Sequence, residues 1–106
     1  MKVLISTEAH QNISEIYRYI EQDSLKYANE TSKNIYSFIH DLEKSPYLGR
    51  YVPELQNKHY REIIYKSYRI IYSIAEKEKI IYIHFVIHGK RNLESFYKSY
   101  ISKNNF

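Results

Sequence analysis

The stretch HYREIIYKSYRIIYSIAEKEKIIYIHFVIH, residues 59–88, decides the fold. Three segments in it are rich in β-branched and aromatic residues, which favour strands: His59–Tyr65, Tyr68–Ala75 and Ile80–His88. Only Lys66-Ser67 separates the first two, as in a tight turn, and the charged loop 76–79 separates the second and third. Strands joined by such short connections predict an antiparallel meander.

The middle strand has two distinct faces, because successive side chains of a strand point to opposite sides. One face is expected to carry the even-numbered residues Tyr68, Ile70, Tyr72 and Ile74. The other is expected to carry Arg69, Ile71, Ser73 and Ala75. Arg69 is therefore predicted to lie on the face opposite the tyrosines.

Upstream of the meander, the sequence predicts one short strand and two helices. Met1–Ile5 is an apolar run, after which Ser6 or Thr7 can cap a helix. Apolar residues then recur at three- and four-residue spacing in Ala9, Ile13, Ile16, Tyr17 and Ile20. This first helix is expected to end between Gln22 and Ser24.

The second helix has the more sustained apolar pattern. Its stripe consists of Leu25, Ala28, Ser32, Ile35, Ile39 and Leu42, and Pro46 is expected to end it. A short link between two helices predicts an antiparallel helix hairpin. A coiled-coil dimer is the alternative, and it is disfavoured because the pattern covers fewer than three heptads.

The remaining segments complete an α+β fold in one domain, residues 1–106. Residues 46–58 contain both prolines and one of the two glycines, which indicates an irregular connection. Residues 91–100 are expected to form a short C-terminal helix or an arm, with Leu93, Phe96 and Tyr100 turned inward. The two helices of the hairpin are expected to pack on one face of the sheet.

Composition restricts the classes of function. There is no cysteine, no run of 18 apolar residues and no signal-peptide pattern, which favours a cytoplasmic protein without a membrane segment. Residues 1–57 carry six Lys/Arg and eight Asp/Glu, whereas residues 58–106 carry ten and four. A basic second half indicates an anionic partner, and the alternative is that these lysines only maintain solubility.

No metal or cofactor site is predicted. His84 and His88 lie four residues apart on a predicted strand, about 13 Å from each other, which is too far for one ion. Gly49 and Gly89 stand alone, so there is no glycine-rich phosphate loop. No Ser/His/Asp or Cys/His arrangement has a supporting motif either.

The remaining candidates for chemistry are Arg61, Arg69, Arg91 and Tyr97. The three arginines fall on or beside the three strands of the meander, and those that share a face could converge on one anionic group. Guanidinium groups bind phosphate through two hydrogen bonds, and Tyr97 could serve as a hydroxyl donor or base. The alternative is that each arginine lies at the surface, paired with an acid such as Glu54 or Glu62.

The order of these elements and of four short motifs resembles the RelE/ParE family of toxins from bacterial type II toxin–antitoxin modules. The motifs are GRYVPEL at 49–55, RE at 61–62, YRIIY at 68–72 and HGKR at 88–91. The resemblance extends over nearly the whole chain. It implies a toxin that is neutralised by a cognate antitoxin and that reaches operator DNA only through that antitoxin.

The RelE branch of the family implies a ribosome-dependent, metal-independent endoribonuclease that cleaves mRNA to 2′,3′-cyclic phosphate ends. Arg69, Arg91 and Tyr97 match the positions of its functional residues, and Arg61 matches one of two expected basic positions. The second basic position holds Ile63, so the ribonuclease set is incomplete.

The ParE branch implies a poison of DNA gyrase. Its usual features are a Gly-Arg…Pro-Glu-Leu connection and a His-Gly-x-Arg strand end, and both occur here. The sequence slightly favours this branch. A third alternative is an inactive member that only binds its antitoxin or operator DNA.

Overall fold

A computed structural model describes residues 1–56 and 58–103. Its elements, in chain order, are β1 (Lys2–Ile5), α1 (Thr7–Glu21), α2 (Leu25–Asp41), β2 (Arg50–Tyr51), a 3₁₀ turn (Pro53–Leu55), β3 (Tyr60–Tyr65), β4 (Tyr68–Ala75), β5 (Ile80–His88) and α3 (Leu93–Lys103). The predicted α+β order of strand, helix hairpin, meander and C-terminal helix is confirmed. The third strand begins at Tyr60, one residue later than predicted.

The five strands form one sheet in the order β1-β5-β4-β3-β2. Strands β3, β4 and β5 pair antiparallel, as the meander requires. Strand β1 lies parallel to β5, with Lys2 opposite Ile80. Parallel neighbours need a long connection, and here it consists of the helix hairpin and strands β2 to β4. The N-terminal strand therefore extends the meander at one edge, and the short β2 extends it at the other.

Both hairpin helices begin at serine caps. The Ser6 Oγ accepts from the Ala9 N–H at 2.9 Å, and the Ser24 Oγ accepts from the Tyr27 N–H at 3.0 Å. The prediction that Pro46 ends the second helix is wrong, because α2 already ends at Asp41. Residues 42–44 turn away in a tighter geometry, in which the Lys44 N–H donates to the Asp41 carbonyl, three residues back, at 3.3 Å.

The hairpin packs on one face of the sheet, as predicted, and forms the larger core. The buried residues of this face come from both helices and from alternate positions of the strands: Ala9, Ile13, Ile35, Ile39, Leu42, Ile63, Tyr65, Ile70, Tyr72, Ile81, Ile83 and Val86. The alternation predicted for the middle strand places Ile70 and Tyr72 here. We call this side the hairpin face.

The opposite side of the sheet, which we call the α3 face, holds a smaller cluster. Its buried apolar residues are Val52, Tyr60, Ile71, Phe85, Ile87 and Leu93, with Leu55, Phe96, Tyr97 and Tyr100 packed against them. Helix α3 covers this face with Leu93, Phe96 and Tyr100 turned inward, as predicted. The pairing of β4 with β5 shifts between Ile71 and Tyr72, so that His84 is an extra residue in a β-bulge.

Candidate functional site

The connection between the hairpin and β3 is tightly anchored, although the sequence predicts it to be irregular. The Tyr72 hydroxyl accepts from the Gly49 N–H and donates to the Pro46 carbonyl, both at 2.8 Å. A Cβ at Gly49 would lie 2.5 Å from the Glu62 carbonyl oxygen and 2.6 Å from the Tyr72 hydroxyl. Only glycine allows the chain to approach the sheet this closely, which explains the first residue of the GRYVPEL motif.

The rest of that motif builds an ion-pair network on the α3 face. The Arg69 Nε donates to the Glu62 Oε1 at 2.6 Å. The Arg69 Nη1 and Nη2 each donate to one carboxylate oxygen of Glu54, both at 2.8 Å. The second oxygen of Glu62 accepts from the Arg50 Nε at 2.8 Å. Two arginines and two glutamates thereby connect β2, the 3₁₀ turn, β3 and β4.

This network occupies all three nitrogens of the Arg69 guanidinium. Arg69 is 8% exposed and Glu62 is 1% exposed, so both charges are buried and satisfied by each other. The hydrogen bonds from Arg69 lower the pKa of Glu54 to about 2, and those from Glu54 raise the pKa of Arg69. A phosphate could reach Arg69 only by displacing a carboxylate that stays ionised at neutral pH.

Arg61 lies on the other side of the sheet. Its guanidinium stacks over the rings of Tyr51 and Tyr47, at 4.3 and 5.2 Å from the ring centroids. Its Nη1 donates to the Gly49 carbonyl at 2.7 Å. These contacts make Arg61 part of the anchor of the connecting loop, on the hairpin face.

The two-residue turn at 66–67 fixes the register of β3 against β4 and so explains why Arg61 and Arg69 lie on opposite faces of the sheet. It pairs Tyr65 with Tyr68 and therefore Ile64 with Arg69. Because side chains alternate, Arg69 shares a face with even-numbered residues of β3, which include Glu62 and exclude Arg61. Register counted from that turn would have predicted the ion pair from sequence.

Arg91 and Tyr97 lie on opposite sides of helix α3. Arg91 stacks on Phe96 at 4.8 Å and lines a groove between α1 and α3 together with Glu8, Asn12 and Glu15. Tyr97 lines a groove of about 390 Å³ between α3 and the 3₁₀ turn. Of the four residues predicted for a ribonuclease site, the structure therefore leaves Arg61 on the hairpin face and separates Arg91 from Tyr97 by a helix.

A polar cluster under α3 is not predicted by the sequence patterns. The His84 Nε2 is 2.6 Å from the Ser73 Oγ, and the His84 Nδ1 is 2.9 Å from the Tyr100 hydroxyl. The bulge at His84 places this ring on the α3 face beside Phe85, which strict alternation would not predict. The only sequence signal is a histidine inside an otherwise apolar strand.

An exposed apolar surface runs along α2 and the β3 edge of the sheet. Its residues are Tyr27, Phe38, Leu48 and Ile64, each between 38% and 66% exposed. Strand β2 is only two residues long and pairs with Arg61 and Glu62, so Ile64 lies beyond it.

Within residues 1–56 and 58–103, no helix is long and apolar enough to cross a membrane. The same residues contain no group of three His, Asp or Glu side chains placed to hold a metal ion.

Solved toxin–antitoxin complexes share this fold. A chain of the RelBE2 complex of Mycobacterium tuberculosis matches 82% of this chain and 95% of its own length, with a TM-score of 0.61 and 18% identity. A chain of the chromosomal ParDE system of P. aeruginosa matches 83% of this chain and 95% of its own length, with a TM-score of 0.69 and 15% identity. Both are distant in sequence, so the similarity is one of fold.

The family is given by the sequence itself. Residues 3–93 match the model of the ParE toxin of the type II toxin–antitoxin system parDE. This chain belongs to the ParE toxin family. The resemblance of its motifs to RelE/ParE toxins is thereby confirmed. No curated protein sequence matches it.

Proposed function

We propose that this toxin inhibits growth in the cytoplasm by acting on DNA gyrase and not by cutting mRNA. The observation that carries the proposal is the buried network in which Arg69 binds Glu54 and Glu62 through all three of its nitrogens. A ribonuclease of the RelE type needs a cation at this position that is available to the scissile phosphate. Here the cation is neutralised within the fold.

The neighbouring positions support the same conclusion. Ile63, at the second expected basic position, is 7% exposed and belongs to the core of the hairpin face. A lysine there would have to bury its charge among aliphatic side chains. Arg61 is engaged by two tyrosine rings on the same side of the sheet. The α3 face therefore presents Arg69 in a neutralised form. The two positions where basic residues are expected, Arg61 and Ile63, both lie on the hairpin face.

We further propose that a cognate antitoxin neutralises the toxin by binding along its apolar surfaces. The α2/β3 surface formed by Tyr27, Phe38, Leu48 and Ile64 has Lys66 and Arg50 beside it, as the cavity lined by Arg50, Ile64 and Lys66 shows. An acidic segment that is disordered alone and orders along this surface would satisfy both its apolar and its charged character. Operator DNA would be contacted only through the antitoxin.

The proposal is tested by induced expression and by assays with the purified toxin. We expect expression to stop growth and to trap gyrase–DNA cleavage complexes while bulk mRNA stays intact. In vitro, the toxin should inhibit gyrase supercoiling of relaxed plasmid, and co-expressed antitoxin should restore it. Supercoiling that stays unchanged at a large molar excess of folded toxin would contradict the proposal.

The ribonuclease alternative makes the opposite prediction. Ribosome-bound mRNA would be cut to 2′,3′-cyclic phosphate ends, and Arg91→Ala would abolish cutting while leaving the fold intact. An inactive, antitoxin-binding member would give no growth defect at all. Growth, mRNA integrity and plasmid supercoiling scored in one culture distinguish the three outcomes.

A further inference from the structure

Helix α3 is attached to the sheet by one narrow strip of side chains. Leu93 is its only buried residue among the described positions, and Phe96, Tyr97 and Tyr100 are partly buried. The attachment is mostly aromatic, since the Phe85 ring lies 4.8 Å from that of Phe96 and 5.2 Å from that of Tyr100. The Tyr60 ring lies 5.3 Å from that of Tyr97. Such a strip docks the helix without merging it into the main core.

His84 lies at the centre of this attachment and is held from several sides. Its Nε2 meets the Ser73 hydroxyl of β4, its Nδ1 meets the Tyr100 hydroxyl of α3, and its ring stacks edge-on against Tyr60 at 5.2 Å. The Ser6 hydroxyl fixes the bulge from below, because it donates to the His84 carbonyl at 2.7 Å. The position of the imidazole is thus set by the sheet, and the helix closes over it.

The surroundings of the His84 ring suit a neutral imidazole. A neutral ring has one donor and one acceptor nitrogen, and the two hydroxyls can complement either tautomer. A protonated ring would carry a charge against the aromatic rings of Tyr60 and Tyr100. Burial, together with the charge of the nearby His59, lowers the pKa of His84 to about 4.

None of the contacts described for the His84 side chain is with a carboxylate. Burial and, after it, the charge of Glu8 of α1 raise the pKa of Tyr100, and burial raises the pKa of Tyr60. The remaining charged side chains that line the grooves beside α3 are Glu15, Glu54, Arg91, Glu94, Lys98 and Lys103. They lie at the rims of the helix and not at the imidazole.

We propose that His84 makes the docking of α3 dependent on protons, so that acidification weakens this docking and raises the fraction of molecules in which the C-terminal helix is released from the sheet. The release would expose Tyr60, Phe85 and Ile87 and open the α3 face to a partner. The inference is independent of whether the toxin acts on gyrase or on mRNA.

The direction and size of the effect follow from linkage. His84 binds a proton less readily when α3 is docked than when the ring is in water, so docking is strongest above about pH 6.5 and weakens as the pH falls. The weakening continues until the pH reaches the docked pKa of about 4. Over this window the docking equilibrium falls by at most tenfold per pH unit, and by about 300-fold in total.

Hydrogen exchange of the full-length protein tests the proposal. Amide exchange of residues 93–103, corrected for its intrinsic pH dependence, is compared with that of β4 between about pH 7.5 and 4.5. We expect protection of α3 to fall several-fold per pH unit below about pH 6 while β4 stays protected. His84→Gln replaces the imidazole with a polar amide that does not titrate, so it should abolish this pH dependence.

His88→Gln is the matched control, because His88 is on the same strand but stacks on Tyr68, away from α3. This variant should retain the full pH dependence. Equal pH dependence in wild type and His84→Gln would overturn the proposal, as would α3 and β4 losing protection together.

A second measurement covers the case in which His84→Gln does not fold. The imidazole proton shifts of His84 in the wild-type protein should titrate well below the ordinary value of about 6.5, near the lower end of the pH window over which α3 protection falls. A titration at the ordinary value with α3 still protected would overturn the proposal.

Discussion

The two faces of the sheet are built on different principles. The hairpin face is closed by two long helices over an aliphatic core that contains Ile35, Ile39 and Ile70, all without exposed surface. The α3 face has a shorter helix, a smaller aromatic cluster and a set of buried polar groups that includes Glu62, Arg69 and Ser73. One face supplies most of the stability through area buried, and the other depends on a few specific polar contacts.

This difference changes how the arginines of the meander are interpreted. A family comparison based on motifs assigns Arg61, Arg69, Arg91 and Tyr97 to one phosphate site. The structure shows Arg61 and Arg69 in structural contacts on opposite faces. The role of Arg91 and Tyr97 stays a prediction, since each lines an open groove beside α3.

The largest expected effect comes from breaking the ion-pair network. Arg69→Ala removes the buried one of the two arginine partners of Glu62 and the bidentate partner of Glu54. We expect the free energy of unfolding to fall by about 3–5 kcal/mol, because the buried Glu62 carboxylate keeps only the exposed Arg50 as a counter-charge. Urea denaturation followed by circular dichroism measures the change.

Arg50→Ala is the matched control for that variant. Its side chain is 63% exposed and contacts the same Glu62, so its loss should cost less than about 1 kcal/mol. A stable, folded Arg69→Ala that has lost toxicity would show instead that Arg69 acts on the target.

The next effect in size concerns the hairpin face. Ile39→Ala removes a fully buried side chain of α2 and leaves a cavity against the sheet. We expect a loss of about 3 kcal/mol in the free energy of unfolding. Leu25→Ala, in the exposed first turn of the same helix, should change it by less than about 0.5 kcal/mol. Equal losses in the two variants would mean that the hairpin is not the main core.

The α3 face should respond locally. Leu93→Ala removes the only buried apolar anchor of α3 among the described residues, which lowers the free energy of docking by about 2 kcal/mol. We expect amide exchange in residues 93–103 to rise about 30-fold while exchange in β4 is nearly unchanged. A matching rise in β4 would indicate that the two faces unfold as one unit.

The smallest expected effect is a gain in stability in the β4–β5 loop. Lys79 has a φ of 57°, in the left-handed region that favours glycine. Lys79→Gly relieves this strain and should raise the free energy of unfolding by at most about 0.5–1 kcal/mol. Thermal denaturation should show this gain as a slightly higher melting temperature. Lys77→Gly, in the same loop, should give no such gain.

Much of the fold could be predicted from local pattern. The apolar periodicity of α1 and α2, the cap of α1 at Ser6 and the strands on either side of Lys66-Ser67 are all local signals, and the structure confirms them. The connection at 46–58 could not be predicted, because its strand and 3₁₀ turn depend on distant contacts. Gly49 rests on Tyr72, and Glu54 on Arg69.

The candidate site was harder to predict because it depends on register. Strand β5 reads IIYIHFVIH, which is apolar on both faces, so its alternation does not reveal the bulge at His84. The contact between Arg69 and Glu62 follows from counting residues across the 66–67 turn. The contact between His84 and Tyr100 does not, since Tyr100 lies on a helix whose docking no local pattern specifies.

Gyrase activity measured with purified toxin is the most direct test of the central claim, that Arg69 is a structural residue in a toxin of the gyrase type. We predict that wild-type toxin and folded Arg50→Ala inhibit supercoiling and accumulate cleaved DNA, while ribosome-bound mRNA remains uncut in the same preparation. Uninhibited gyrase together with mRNA cut to 2′,3′-cyclic phosphate ends would contradict the account.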